Sequence, residues 1–84
     1  LGKKEIEIKN LNLLVKKEEF KNYIFVKVRS TGKLLKAKVN LKENNKGIVI
    51  LEKAEEGISP GQACVFYSKD SYGDKVLGGG WITS

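Results

Sequence analysis

ISPGQACVFY occupies residues 58–67, and KVLGGGWI occupies residues 75–82 of this 84-residue chain. Pro60 and Gly61 suit the two central positions of a tight turn, because proline presets its φ angle and glycine accepts a positive one. The apolar residues that follow the turn predict a strand, and the glycine-rich residues near the end predict the last strand. This order of turn, strand and strand is typical of the end of a small β-barrel.

The rest of the chain carries further strand and turn patterns. Apolar residues that alternate or run together predict strands at 3–9, 23–29, 34–41, 48–51 and 63–67, before the last strand at 75–82. Asn10-Leu11-Asn12 is predicted to end the first strand, residues 13–21 a short helical turn, and residues 69–74 a loop. The continuous apolar run at 48–51 indicates burial on both faces or a position at a barrel seam. We therefore predict one all-β domain over residues 1–84, a closed antiparallel barrel of about six strands.

Composition removes several classes of function. The chain has no histidine, which is the usual general base near neutral pH and the commonest zinc ligand. Its one cysteine, Cys64, has no basic residue within four positions, so we predict a packing residue rather than a nucleophile or metal ligand. No apolar run reaches membrane-spanning length, which predicts a cytoplasmic protein without a membrane partner. The absence of methionine predicts a fragment of a longer chain.

The formal net charge of +6 lies entirely between Lys27 and Lys46, since basic and acidic residues balance elsewhere. This concentration predicts a polyanionic partner, and an ordinary lysine-rich solvated surface is the alternative. If the strands at 23–29 and 34–41 pair, one basic face results, and its predicted RNA contacts are Lys27, Arg29, Lys33, Lys36 and Lys38. Ser30 and Thr31 add hydroxyl donors in the turn between these strands, and Gly32 permits close approach.

Four aromatic residues raise the question of base stacking. Tyr23 and Phe25 lie in an apolar run, so we predict that they pack in the core or against another domain. Tyr72 lies in a polar loop and is predicted to be exposed, whereas Trp81 is predicted to anchor the last strand.

Gly78, Gly79 and Gly80 lie inside a predicted strand, where glycine loses side-chain packing and costs conformational entropy. Two readings remain open. The glycines mark a sharp bend that closes the barrel, or they form a surface that docks against a neighbouring domain.

Residues 58–82 resemble the C-terminus of the bacterial tRNA-specific 2-thiouridylases. That family has a Pro-Gly-Gln turn, a VFY strand and an LGGGWI-like ending in this order, which Pro60, Gly61, Gln62 and the three glycines match here. The run VRSTGKLLKAKV at 28–39 resembles the basic strand-turn-strand of the family's C-terminal barrel. Residues 5–12 resemble its lead-in strand, but Leu13 stands where the family commonly has tryptophan.

The resemblance implies a C-terminal barrel similar to the second domain of translation factors. Enzymes of this family, which are tRNA-uridine 2-sulfurtransferases, use ATP to adenylate C2 of the wobble uridine and then insert persulfide sulfur. Their nucleotide loop and catalytic cysteines lie in the N-terminal domain. The resemblance therefore implies no catalytic, cofactor or metal site in this segment, and ATP as the cofactor of the parent enzyme alone.

The implied partners are tRNA, the N-terminal and central domains of the parent chain, and a sulfur-relay protein. By resemblance, the five basic residues named above are the RNA contacts. The main alternative is an interdomain scaffold that touches no RNA. A translation-factor-like barrel from another protein is a third possibility, but it leaves the LGGGWI ending unexplained.

Overall fold

The computed structural model describes residues 2–28, 32–70 and 73–83 and shows a closed antiparallel β-barrel. The strands are β1 (Lys3–Leu13), β2 (Ile24–Val28), β3 (Leu35–Lys42), β4 (Lys46–Glu55), β5 (Ala63–Asp70) and β6 (Gly73–Ile82). Their order around the barrel is β1-β4-β3-β2-β5-β6, and β6 pairs with β1 to close it. The predicted fold class is confirmed.

Alternating side chains fill the interior of the barrel. The predicted inward residues of β2 are buried, and Phe66 of β5 packs edge-on against Phe20 with ring centroids 5.8 Å apart. Phe20 belongs to a short 3₁₀ helix, Lys17–Phe20, which lies within the predicted helical turn and covers the barrel interior. The buried core comprises Ile6, Ile8, Phe20, Ile24, Val26, Val28, Ala37, Val39, Val49, Leu51, Cys64, Phe66, Leu77 and Ile82.

The first strand is longer than predicted. β1 does not end at Lys9, because Asn10 takes a left-handed φ of 53° and the strand continues after an irregularity in its pairing. Asparagine adopts this conformation at lower cost than most residues. The irregularity also marks a change of partner: β1 pairs with β4 up to Ile8 and with β6 from Ile8 to Leu13.

Two other predictions are corrected. Residues 48–51 are not buried on both faces, since Ile50 is exposed while Val49 and Leu51 are buried. The barrel has one layer, so the outward face of β4 has no covering element in the described chain. The predicted loop 69–74 is mostly paired strand, because Lys69 lies opposite Asp74 and Asp70 opposite Gly73.

The predicted Pro60-Gly61 turn is confirmed. Gly61 has a φ of 91°, and the Gln62 amide donates to the Ser59 carbonyl at 3.4 Å. The Gln62 side-chain oxygen accepts a hydrogen bond from the Ser59 amide, which braces the turn. The Gly61 amide donates to the Ile82 carbonyl, and the Ile82 amide donates to the Gln62 carbonyl. The turn therefore holds the end of the last strand.

The three glycines close the barrel, as the first of the two readings predicted. Gly78 and Gly79 pair with Leu13 and Asn12 of β1, and all three glycines pair with β5. A Cβ atom on Gly79 would lie 2.8 Å from the Cys64 carbonyl oxygen, closer than packing allows. Neighbouring backbones approach this closely only because the side chains are absent.

Candidate nucleic-acid interface

Outward-facing residues of β2, β3 and β5, together with Tyr23 just before β2, form one continuous surface of lysines and aromatic rings. Phe25 of β2 lies opposite Lys36 of β3 on one side and opposite Tyr67 of β5 on the other. Because side chains alternate along a strand, residues two positions away point to the same surface. We call this surface the lysine–aromatic face, and its members are Tyr23, Phe25, Lys27, Lys36, Lys38, Tyr67 and Lys69.

Each lysine of this face has its ammonium nitrogen over an aromatic ring. The nitrogen-to-centroid distances are 4.7 Å for Lys36 and 5.1 Å for Lys38 over Tyr23, 4.7 Å for Lys69 over Phe25, and 5.7 Å for Lys27 over Tyr67. Such contacts contribute roughly 0.5–1 kcal/mol each at exposed sites. The rings therefore restrict the positions of the lysine ammonium groups. Because these side chains are already restricted, they lose less conformational entropy when they bind a phosphate than free lysines would.

The Glu52 carboxylate lies beside the face. The Lys36 ammonium is 3.6 Å from a Glu52 carboxylate oxygen, and both side chains are about half exposed. An exposed ion pair of this kind contributes about 0–1 kcal/mol. A phosphate can therefore replace Glu52 as the partner of Lys36 at small cost.

The structure brings together three of the five predicted contacts, namely Lys27, Lys36 and Lys38. Lys33 lies elsewhere, in the segment before β3, where it lines a cleft together with Glu55 and Glu56. The fifth residue, Arg29, lies outside the described residues. The same holds for Ser30, Thr31 and Tyr72.

Two aromatic predictions change. Tyr23 is 51% exposed, so it does not pack in the core of this barrel, and Phe25 is only half-buried on the outer surface. Packing of these rings against another domain, the other predicted position, stays a prediction. Sequence reasoning also missed Tyr67 and Lys69 as members of the face. Their two-residue spacing places them on one side of a strand, but their position beside Phe25 depends on the pairing of β2 with β5.

A second exposed surface lies on β1, β5 and β6. Leu14, Val76 and Trp81 are 63%, 44% and 48% exposed, and they line a shallow groove with the backbone of Gly79 and Gly80. Trp81 pairs through its backbone with Lys9 and Ala63, while its side chain is half exposed. We call this surface the apolar face.

Cys64 is fully buried in β5, as predicted for a packing residue. Burial raises the pKa of the Cys64 thiol from its ordinary value of 9.0 to about 12. The thiol therefore stays protonated at neutral pH, and a protonated thiol is a poor nucleophile.

We expect Cys64 to react with Ellman's reagent at pH 8 only as fast as the chain unfolds, because the folded barrel keeps its thiol buried and neutral. The unfolded thiol loses its proton at lower pH than the folded one, so the contribution of Cys64 to stability is complete below pH 9 and decreases above it. Stopped-flow labelling with and without urea measures the rates. Rapid labelling of the folded chain would contradict the buried position.

Among the described residues, no three His, Cys, Asp or Glu side chains are grouped closely enough to hold a metal ion. In the same part of the chain, no helix is both long and apolar enough to cross a lipid bilayer.

Residues 3–82 match the sequence profile of the aminomethyltransferase beta-barrel domain. This match covers nearly the whole chain, so the chain belongs to this family of β-barrel domains. No solved structure matches the chain significantly.

Similar curated proteins include tRNA-specific 2-thiouridylases named MnmA. The protein of Zymomonas mobilis is 47% identical over 76 residues, which cover 90% of this chain and 18% of the relative. The protein of Rickettsia felis is 41% identical over 81 residues, covering 94% of this chain and 21% of the relative. That of Maricaulis maris is 54% identical over 59 residues, or 70% of this chain and 14% of the relative.

These matches confirm the resemblance to the C-terminal domain of the tRNA 2-thiouridylases. The chain spans about a fifth or less of the length of these relatives.

Proposed function

We propose that this chain is the C-terminal, RNA-contacting barrel of a tRNA 2-thiouridylase that thiolates C2 of the wobble uridine. The lysine–aromatic face carries this proposal. Lysines bind the phosphate backbone and give affinity without reading sequence, and aromatic rings stack on unpaired bases. The relatives, which are named for their action on tRNA, supply the identity of the RNA.

The chemistry belongs to the remainder of the parent enzyme in this proposal. The chain covers about a fifth of the length of these relatives. Its thiol is buried and protonated, so it offers no group for sulfur transfer. In this proposal ATP and the sulfur-relay protein act at the N-terminal domain of the parent enzyme, in the cytoplasm. The barrel itself holds tRNA and is not an enzyme.

The apolar face favours a second, structural role. Exposed apolar patches on a domain commonly mark interaction sites. Trp81 belongs to β6, which lies opposite β3 in the order of strands around the barrel. Val76 pairs with Tyr67 of β5, so the apolar face borders the lysine–aromatic face at one edge and extends away from it. We propose that it docks on the N-terminal or central domain of the parent chain. If the chain binds no RNA, this scaffold role is the function that remains.

Tyr23→Ala tests whether the face stacks on RNA. Loss of a stacking ring costs roughly 1–3 kcal/mol of binding free energy, so we expect affinity for folded tRNA to decrease about 5- to 150-fold. Tyr23→Phe keeps the ring and is expected to bind like the unchanged chain. Fluorescence anisotropy with labelled tRNA measures both affinities.

Trp81→Ala is the matched control, because it removes a similarly exposed ring, 48% against 51%, from β6, which is not a strand of the lysine–aromatic face. It is expected to leave the affinity unchanged. Equal affinities for Tyr23→Ala and the unchanged chain would rule out stacking on Tyr23, and equal losses for Tyr23→Ala and Trp81→Ala would show that the effect is not specific to this face.

A further inference from the structure

A groove lies between the 3₁₀ helix and β3, next to the lysine–aromatic face. It measures about 420 Å³, and its apolar wall includes Phe20 and Leu41. Lys17 and Lys21 approach it from the helical side, and Lys38 and Lys42 from the strand. Nothing in the sequence patterns pointed to this site, because the contact between β3 and the 3₁₀ helix is a tertiary one.

The groove is strongly positive. Four of its eight lining residues are lysines, and none is acidic, although Glu18 and Glu19 lie in the same 3₁₀ helix. Like charges at close range repel one another, so an anion that binds between them relieves this repulsion. Asn40 adds an amide that donates hydrogen bonds. These groups match the requirements of a phosphodiester backbone.

The groove adjoins the lysine–aromatic face. Lys38 lines the groove and also lies 5.1 Å over the Tyr23 ring, so one side chain belongs to both surfaces. Lys36, Lys38 and Lys42 have the same parity along β3 and are all exposed, which places a row of positive charge along its outer surface. The row continues from the aromatic rings to the groove.

We propose that the groove lined by Lys17, Lys21, Lys38 and Lys42 is a phosphate-backbone site, where the RNA strand continues after it leaves the lysine–aromatic face. This inference rests on the proposed function for the identity of the ligand. It adds Lys17, Lys21 and Lys42 to the proposed RNA contacts.

The test is the double charge reversal Lys17→Glu and Lys21→Glu, titrated by fluorescence anisotropy with folded tRNA at several salt concentrations. Both side chains are exposed, so the fold is expected to remain intact. We expect affinity at low salt to decrease at least tenfold, and the magnitude of the slope of log K against log salt to decrease by about 2, one for each lost phosphate contact. Circular dichroism and the urea midpoint check the fold, and Lys17→Gln with Lys21→Gln replaces the reversal if the fold is disturbed.

The control is Lys9→Glu with Lys53→Glu, which makes the same change of net charge on β1 and β4. If this control weakens binding equally, only net charge matters and the groove proposal is overturned. If the unchanged chain binds tRNA and the Lys17 and Lys21 variant binds as tightly, the groove is rejected while the lysine–aromatic face stands. Failure of the unchanged chain to bind at all rejects both.

Discussion

Gly78→Ala is expected to destabilise the closed barrel strongly. A Cβ atom at this position would overlap the Asn12 carbonyl oxygen and lie 3.1 Å from the Cα of Leu13, both in the backbone of β1. Gly78 also has a φ of 150°, which side chains rarely adopt. Strain of this kind costs about 1–3 kcal/mol, and overpacking against a fixed backbone a further 1–3 kcal/mol or so.

The expected decrease in the free energy of unfolding is therefore about 2–6 kcal/mol. Native domains have roughly 0.05–0.15 kcal/mol of stability per residue, or about 4–12 kcal/mol for a chain of this size. Gly78→Ala thus removes a large part of the total stability. Urea denaturation followed by circular dichroism measures it.

Gly61→Ala is the control that distinguishes backbone strain at a positive φ from steric overlap of the added Cβ atom with β1. Gly61 also has a positive φ, 91°, but a Cβ atom there would meet no atom within 4 Å. We expect it to lose only about 1–2 kcal/mol. Equal losses for the two variants would show that close approach to β1 does not explain the glycine at position 78.

Lys36→Glu combined with Lys38→Glu is expected to produce the largest loss of RNA binding. The two lysines flank Tyr23 with nitrogen-to-centroid distances of 4.7 and 5.1 Å, so reversal replaces two positioned cations by two anions. Glu52, which pairs with Lys36 in the unchanged chain, would lose its partner and add to the repulsion of phosphate. We expect affinity for tRNA to decrease on the order of 100-fold at low salt, with a salt slope smaller in magnitude by about 2.

Lys9→Glu with Lys53→Glu again supplies the matched change in charge and is expected to weaken binding only a few fold through the net charge. Anisotropy titrations of both variants between low and physiological salt give the comparison. An unchanged affinity after reversal at positions 36 and 38 would rule out the lysine–aromatic face as the RNA contact.

Local patterns were sufficient to predict the fold class. Alternation in β2 predicts that Ile24, Val26 and Val28 face inward, and the Pro60-Gly61 turn follows from the φ preferences of two residues. Both depend on neighbours along the chain, so sequence contains the necessary information.

Features that depend on distant parts of the chain were not predictable in this way. Ile50 has an apolar side chain, yet it is exposed because no second layer covers β4 in the described chain. The lengthening of β1 depends on a left-handed Asn10, one of several conformations open to asparagine.

In the candidate site, too, features set by neighbours along the chain were predictable, and features that depend on distant residues were not. Parity along β3 places Lys36 and Lys38 on one surface, and this was predicted. Their contacts with the Tyr23 ring, and the approach of Lys69 to Phe25, depend on how strands pair across the barrel. The 3₁₀ helix likewise meets β3 only in the folded chain, so the basic groove could not be inferred from spacing.

The most direct test of the central claim is an anisotropy titration of this chain with folded tRNA and with an unstructured RNA of equal length, at low and physiological salt. Our account predicts a steep decrease in affinity with salt, because the lysines bind phosphates. It also predicts tighter binding to folded tRNA, because a folded RNA holds its phosphates in a fixed arrangement that the lysines over the aromatic rings can match. Absence of binding at both salt concentrations would contradict it, and would leave the barrel as a scaffold whose parent enzyme recognises tRNA through other domains.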